Sequence, residues 1–312
     1  MTPKLSTLDG TPASALAFGA MQFGGRADAT ASAAMFDASL EAGINHFDTA
    51  YVYTDGASET ILGQLIRDQR DKLLIATKAG YSGGAGGANM RAQFDISRKR
   101  LGLEMVDILY LHRFDPHTDL RDTMEAFAAL KSEGSIRYVG LSNFAAWQVV
   151  KAAWAGADLG VAIDILQPMY SLVKRQSEVE ILPMCADLGI AAAPYSPLGG
   201  GLLTGKYAEG GTGRLLEDDG YAKRYGPSWM HQTSQALARL AKDLCTDPAT
   251  LAVAWAAAHP SRPTPIISAR SLDQLRPSLA ALEFEMTPEL YDQIEALSQR
   301  PAPATDRLEE SQ

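Results

Sequence analysis

Eight short apolar runs recur along the chain, and between them lie segments whose apolar residues repeat at helical spacing. The runs cover residues 15–20, 44–48, 73–78, 106–112, 136–141, 163–166, 190–194 and 265–267. Helical spacing covers 31–42, 58–67, 91–101, 120–131, 145–154, 178–188, 235–244, 250–258, 272–282 and 288–297. The short runs read as strands and the longer segments as helices. Gly43, Gly102 and Gly189 stand where helices should stop, and Asp247-Pro248 stands where one should start, in keeping with the backbone demands of helix ends. Two strands joined through a helix run parallel, because the crossover returns the chain to its starting edge. Regular alternation therefore leaves two architectures, a closed β/α barrel or an open doubly wound sheet.

The polar residues choose between them. From the second run to the eighth, every strand ends in a hydrogen-bonding or charged group: Asp48, Lys78, His112, Ser142-Asn143, Gln167, Tyr195, and Ser268 through Arg270. A closed barrel gathers such ends at one rim, which is where barrel enzymes place their chemistry. The predicted fold is thus an α/β (β/α)8 TIM barrel with an N-terminal β-hairpin and extra helices. It forms one domain over residues 1–312, with a core at about 15–282 and a mobile tail at about 299–312. The hairpin is read from Leu5 to Leu8 and the turn Asp9-Gly10, and would cover one end of the fold.

Composition removes several classes of function. Lys plus Arg is 28 and Asp plus Glu is 37, for a net charge of −9. Such a chain lacks the basic footprint of a nucleic-acid binder. No apolar run approaches the roughly 20 residues that span a bilayer, and no signal-peptide pattern opens the chain, so the cytoplasm is the expected location. Cys185 and Cys245 have no metal-ligand spacing and lie in apolar helical patterns, which predicts two buried free thiols. His112 and His117 lack zinc-site spacing, so no metal is expected. His46, His117, His231 and His259 are read as structural or exposed.

Asp48, Tyr53, Lys78 and His112 are residue types that move a proton to or from an oxygen. A carboxylate can hold the lysine charged, and a nearby ammonium favours the phenolate and so lowers a tyrosine pKa. The runs carrying these residues resemble the signature of the aldo-keto reductases, in the branch that handles sugars and aldehydes. They are Gly43 to Tyr53 (GINHFDTAYVY) with Ser58-Glu59 and Leu62-Gly63, then Ala76-Thr77-Lys78, Asp107 to His112 (DILYLH), Tyr138 to Phe144 (YVGLSNF) and Pro194 to Tyr207 (PYSPLGGGLLTGKY).

The resemblance implies a catalytic tetrad of Asp48, Tyr53, Lys78 and His112, with Tyr53 as general acid and base. It implies that Ser142, Asn143 and Gln167 hold a nicotinamide carboxamide and that Tyr195 stacks on its ring. Ser196, Leu198, Gly199 and Gly201 would pass a pyrophosphate; Lys206, Ser268, Arg270 and Gln274 would hold phosphate. Two cations there favour NADP(H) over NAD(H). Where the family continues with an acidic residue and an asparagine, this chain has Pro277 and Ser278, a departure at the adenine contact, where Ser278 is the cofactor-binding residue expected. Phe23, Tyr81, Phe114, Met169 and Trp229 would wall an apolar pocket for a small-molecule carbonyl or alcohol substrate. The implied activity is reversible NADP(H)-dependent reduction of an aldehyde or ketone. The alternative is an NADP(H)-binding, redox-sensing regulatory subunit with little turnover.

Two strings point elsewhere and are set aside. Tyr170 to Lys174 has the YxxxK spacing of short-chain dehydrogenases, but the first strand is not followed by GxGxxG. The glycine-rich stretch 82–88 is not followed by Gly-Lys-Ser/Thr, so it is no P-loop. It is read as a flexible loop bordering the pocket.

Overall fold

The computed structural model describes residues 5–310. Eight strands form one sheet: β1 (Ala17–Gly19), β2 (His46–Asp48), β3 (Leu74–Ala79), β4 (Val106–Leu111), β5 (Ile136–Ser142), β6 (Ile165–Gln167), β7 (Ala191–Ala192) and β8 (Ile266–Ile267). All pairings are parallel, in the order β7-β6-β5-β4-β3-β2-β1-β8. The two ends of that order meet. Tyr195, three residues beyond β7, bridges Ile266 of β8 in parallel. The Thr264 and Ile266 amides donate to the Ala192 and Pro194 carbonyls, both at 2.8 Å. The sheet is a closed barrel, and the open doubly wound alternative is excluded.

Successive strand side chains point to opposite faces, and the chain uses this period with little variation. Ala17, Leu74, Ala76, Ile108, Tyr110, Ile165, Ala193 and Ile266 pack together inside the barrel. Their neighbours Phe18, Phe47, Ile75, Leu109, Leu111, Val139, Leu141 and Ile267 pack outward beneath the helices. Continuing the inward parity to the end of each strand gives Asp48, Lys78, His112, Ser142, Gln167 and Tyr195. The polar strand ends are therefore the topmost inward positions, which is why they share one rim.

The helices are α1 (Ala29–Glu41), α2 (Ala57–Leu65), α3 (Gly87–Leu101), α4 (Leu120–Ser132), α5 (Ala146–Ala157), α6 (Ile181–Leu188), α7 (Arg214–Glu217), α8 (Asp219–Arg224), α9 (Ser228–Asp243), α10 (Pro248–Ala257), α11 (Leu272–Leu279) and α12 (Pro288–Glu295). Two short helices, α7 and α8, fall in the long connection after β7, and α9 begins seven residues before its predicted start. The N-terminal hairpin is present as an antiparallel bridge between Ser6 and Pro12. It closes the opposite end of the barrel: Leu5 is buried in the interior cluster, and the Ser6 amide donates to the Tyr138 hydroxyl at 3.3 Å.

Cys185 is buried, but Cys245 is exposed. The helical pattern that suggested burial stops at Asp243, and Cys245 lies beyond it in a left-handed conformation, φ +53°. No helix among the described residues is long and apolar enough to cross a membrane.

Candidate active site

The rim is built from the ends of β2, β3 and β4. Asp48 closes β2, Lys78 is the penultimate residue of β3, and His112 follows β4. Lys78 is completely buried and Asp48 nearly so. The Lys78 ammonium donates to the Asp48 carboxylate, to the Thr49 carbonyl at 2.8 Å and to the Tyr53 hydroxyl at 3.4 Å. Three donors of one ammonium thus meet three oxygens. The second Asp48 oxygen accepts from the Gln167 amide at 2.9 Å.

Tyr53 reaches this cluster because the chain after β2 turns sharply. Thr54, Asp55 and Gly56 all have positive φ, at +46°, +52° and +91°, a conformation a β-branched threonine adopts only under constraint. The constraint is visible. Thr54 donates its hydroxyl to the Phe23 carbonyl at 2.8 Å and accepts from the Ser58 amide at 2.9 Å. Arg100 donates to the Tyr51 carbonyl at 2.9 Å and pairs with Glu59 at 3.1 Å. Glu59 has no exposure and also accepts from Thr77 on β3 at 2.6 Å, so one carboxylate ties the Tyr53 loop to the strand carrying Lys78. Sequence reasoning assigned Glu59 and Arg100 no role. The signal for Glu59 was there: a carboxylate three residues before Leu62, on the helix face that must be buried.

Burial and charge oppose each other at Tyr53. Burial pushes the phenol pKa up, Lys78 pulls it down, and the net direction is up. The lowered pKa expected from the lysine alone is not found, because desolvation of the phenolate outweighs the ammonium in the protein without ligand. Burial also penalises the Lys78 ammonium, but Asp48 and Tyr53 together more than offset it and hold its pKa above the usual value. Burial, Lys78 and Arg113 push His112 down to about 3. At neutral pH the site therefore holds a protonated phenol, a charged lysine and a neutral imidazole. The imidazole ring meets Tyr53 edge-on, with centroids 5.7 Å apart.

The next strand ends continue the rim. Ser142 donates to the Gln167 carbonyl at 3.0 Å, and Asn143 donates to the His112 carbonyl at 3.0 Å. The Tyr195 hydroxyl donates to the Asn143 side chain at 2.7 Å. Ser142, Asn143, Gln167 and Tyr195 are thus one hydrogen-bonded arc that touches Asp48 at one end and His112 at the other. Ser196 follows in a left-handed conformation, φ +60°. Leu198 precedes the glycine turn, in which Gly199, Gly200 and Gly201 have φ of +57°, +65° and +96°. A Cβ on Gly200 would lie 2.8 Å from the Tyr221 ring, and one on Gly201 would lie 3.6 Å from the Lys206 ammonium. At the end of β8 the Ser268 hydroxyl is buried with no partner among the described residues. Arg270 lies 3.9 Å from Glu217, which also pairs with Arg26 at 2.6 Å, and the Arg270 amide donates to the Gln274 side chain at 3.4 Å.

Two expected positions fall elsewhere. Ser278 is buried beside Leu275 on the inner face of α11, away from the exposed Gln274. Phe23 is fully buried against Phe18, with centroids 5.5 Å apart; it supports the Tyr53 loop from the core and walls no pocket. Trp229 packs on the cluster around α9 and α10. Of the other proposed walls, Tyr81 leans over His112 at 5.0 Å. Phe114 meets Phe144 and Trp147, and Met169 contacts Tyr225 through its sulfur. The glycine-rich stretch is tied down: Asn89 donates to the Ser82 and Gly84 carbonyls, and the Ala85 amide donates to Asp115.

The sequence model of the Aldo/keto reductase family matches residues 15–299. The chain belongs to that family. This aldo/keto reductase is 33% identical over 301 residues to the uncharacterized oxidoreductase YrpG of Bacillus subtilis, covering 90% of this chain and 91% of that one. It is 36% identical over 289 residues to aflatoxin B1 aldehyde reductase member 2 of the rat, covering 85% and 79%. It is also 32% identical over 312 residues to a probable voltage-gated potassium channel subunit beta of rice, covering 93% and 94%.

Proposed function

We propose that this oxidoreductase interconverts an aldehyde or ketone with its alcohol using NADP(H), with Tyr53 handling the proton and Asp48, Lys78 and His112 setting its environment. The observation that carries the reading is the Tyr53 hydroxyl within 3.4 Å of a buried, carboxylate-anchored ammonium and beside a neutral imidazole. The residues present fit a nicotinamide dinucleotide. An orphaned buried hydroxyl at Ser268, a bare glycine turn at 199–201, the half-buried Tyr195 ring and the cations Lys206 and Arg270 lie along one path from the tetrad. When bound, the dinucleotide would supply the hydride.

The protein groups do the rest. A substrate carbonyl oxygen beside Tyr53 and His112 would accept hydrogen bonds from both, which stabilises charge developing on that oxygen. Tyr53 then gives up its proton, and Lys78 stabilises the phenolate left behind. Asp48 keeps Lys78 charged and fixed. Tyr53 is protonated across the neutral range, as proton donation in the reducing direction requires. Aldehyde reduction also agrees with the rat relative's name.

Tyr53→Phe tests the reading. NADPH oxidation with a panel of aldehydes should fall about 10²–10⁴-fold, the usual contribution of a positioned acid, while NADPH binding changes less than twofold. The rice relative's name gives a second reading, a regulatory subunit. Tight NADPH binding by the unaltered protein, with no turnover on any carbonyl, would decide for it.

A further inference from the structure

We propose that the mouth of this site selects carbonyl compounds bearing a second, anionic group, a carboxylate or phosphate, and that Arg113 receives it; this rests on the reductase reading above. Arg113 follows His112 directly, is exposed, and lies with its guanidinium carbon 4.6 Å over the Tyr81 ring. Tyr81 in turn lies 5.0 Å from the His112 ring. One exposed cation is thus reached from the proton-transfer site in two ring contacts.

Arg113 differs from the arginines that the barrel ties to acids. Other arginines around the barrel are matched with acids: Arg70 and Arg137 with Asp107, Arg100 with Glu59, and Arg175 with Glu178. Arg113 makes no ion pair among the described residues, although acids outnumber bases 37 to 28. The nearest acid in its own loop, Asp115, is committed to the Thr118 hydroxyl and to the amides of His117 and Ala85.

Two more cations lie on the opposite side of the opening, also without ion pairs among the described residues. Arg224 stacks on Tyr221 at 5.2 Å and Lys174 on Tyr225 at 5.5 Å, the tyrosines that close over Gly200. Their charges act on the site: Arg113 lowers His112, and Arg224 opposes the rise at Tyr195. Aromatic faces hold each cation in place without neutralising it. A guanidinium fixed on a ring offers its planar fork to an oxyanion in two parallel hydrogen bonds. Positive charge around one opening of an acidic protein also draws anions toward that opening.

Three probes of similar shape test the idea: 4-formylbenzoate, 4-formylphenyl phosphate and methyl 4-formylbenzoate, each followed by NADPH oxidation. The proposal expects kcat/KM at least tenfold higher for one or both anionic probes than for the ester. The gap should shrink several-fold between 50 and 500 mM salt, as screening demands. Arg113→Met should remove most of it through KM. Equal or better turnover of the ester by the unaltered protein overturns the proposal while leaving the reductase reading intact. So does a loss in Arg113→Met shared equally by acid and ester. Failure to reduce any of the three, or any simple aldehyde, overturns the reductase reading and this inference with it.

Discussion

Replacing Lys78 by methionine isolates the electrostatics of the rim. The side chain is fully buried and holds Asp48 by an ion pair, so its removal strands a carboxylate that keeps only the Gln167 amide. The folded variant can escape the penalty by protonating Asp48. At pH 7, neutralising a carboxylate of ordinary pKa costs about 4 kcal/mol, and at pH 5 about 1.5 kcal/mol. These figures cap the loss of stability and agree with the 3–5 kcal/mol typical of a broken buried pair. The sign follows from linkage. In the variant, Asp48 has a folded pKa above its unfolded value, so its folded state binds the extra proton and stability falls as pH rises. Burial already raises the Asp48 pKa in the unaltered protein. Lys78→Met removes the ammonium opposing that rise, so it should be worse relative to the unaltered protein at pH 7 than at pH 5, by at most about 3 kcal/mol. The double variant Asp48→Asn/Lys78→Met should lose that pH dependence and regain most of the stability. Urea melts of the unaltered protein, Asp48→Asn, Lys78→Met and the double variant at both pH values give the coupling directly. A Lys78→Met penalty that is the same at pH 5 and 7, or one that Asp48→Asn fails to relieve, would show that Asp48 and Lys78 are not a buried charged pair.

Three further outcomes are expected. His46 is completely buried with neither ring nitrogen partnered among the described residues, and burial beside Lys78 depresses it to about 4. The stability it protects is fully present above pH 6.5 and is lost as pH falls toward 4, at up to about 1.4 kcal/mol per pH unit; melts of His46→Leu should show a flatter acid limb. Gly63→Ala should destabilise by about 1–3 kcal/mol, because the new Cβ would lie 2.4 Å from the Leu101 carbonyl oxygen; a stabilised variant, as helix propensity alone would give, would contradict this packing. Arg270→Met should weaken NADPH by about 10–100-fold through lost charge-assisted hydrogen bonds and leave NADH within twofold, as read by fluorescence titration; equal losses would place the 2′-phosphate elsewhere.

What could be read from the chain beforehand was whatever obeys a period. Strand parity is two, so the residue ending each apolar run faces the same way as the inward residues before it. That parity brought Asp48, Lys78, His112 and Gln167 together without any knowledge of loops. Boundaries slipped by one to three residues for most elements because strand ends and first helical turns contain residues of either pattern. The connection after β7 was harder. Helices α7 and α8 are short, preceded by Gly210, Gly211 and Gly213 and interrupted by Gly220, and their apolar residues are too few to show a period. Tyr221 on α8 and Tyr225 just after it still close over Gly200. Phe23 illustrates a different failure: an aromatic next to a strand end suits a pocket wall or a core equally well, and only packing against Phe18 separates the two.

The misjudged acidity of Tyr53 follows from the same distinction. Sequence supplies the sign of a pairwise effect, since Lys78 must favour the phenolate. It does not supply the burial that opposes it, because burial belongs to the whole assembly of β1, β2, the strained turn at 54–56 and the helices behind. Arg113 was passed over for a related reason. Its significance lies in making no ion pair among the described residues and in the company of Lys174 and Arg224, cations that stand 61 and 111 residues away along the chain and are likewise held on aromatic rings. A charge that sequence alone reads as solvated becomes informative once the surrounding acids are seen to be spent elsewhere: Asp115 on its own loop, Asp218 on the start of α8, and Glu217 on Arg26. The reactive centre is legible from one strand at a time, whereas substrate choice is written across loops that only closure of the barrel brings together.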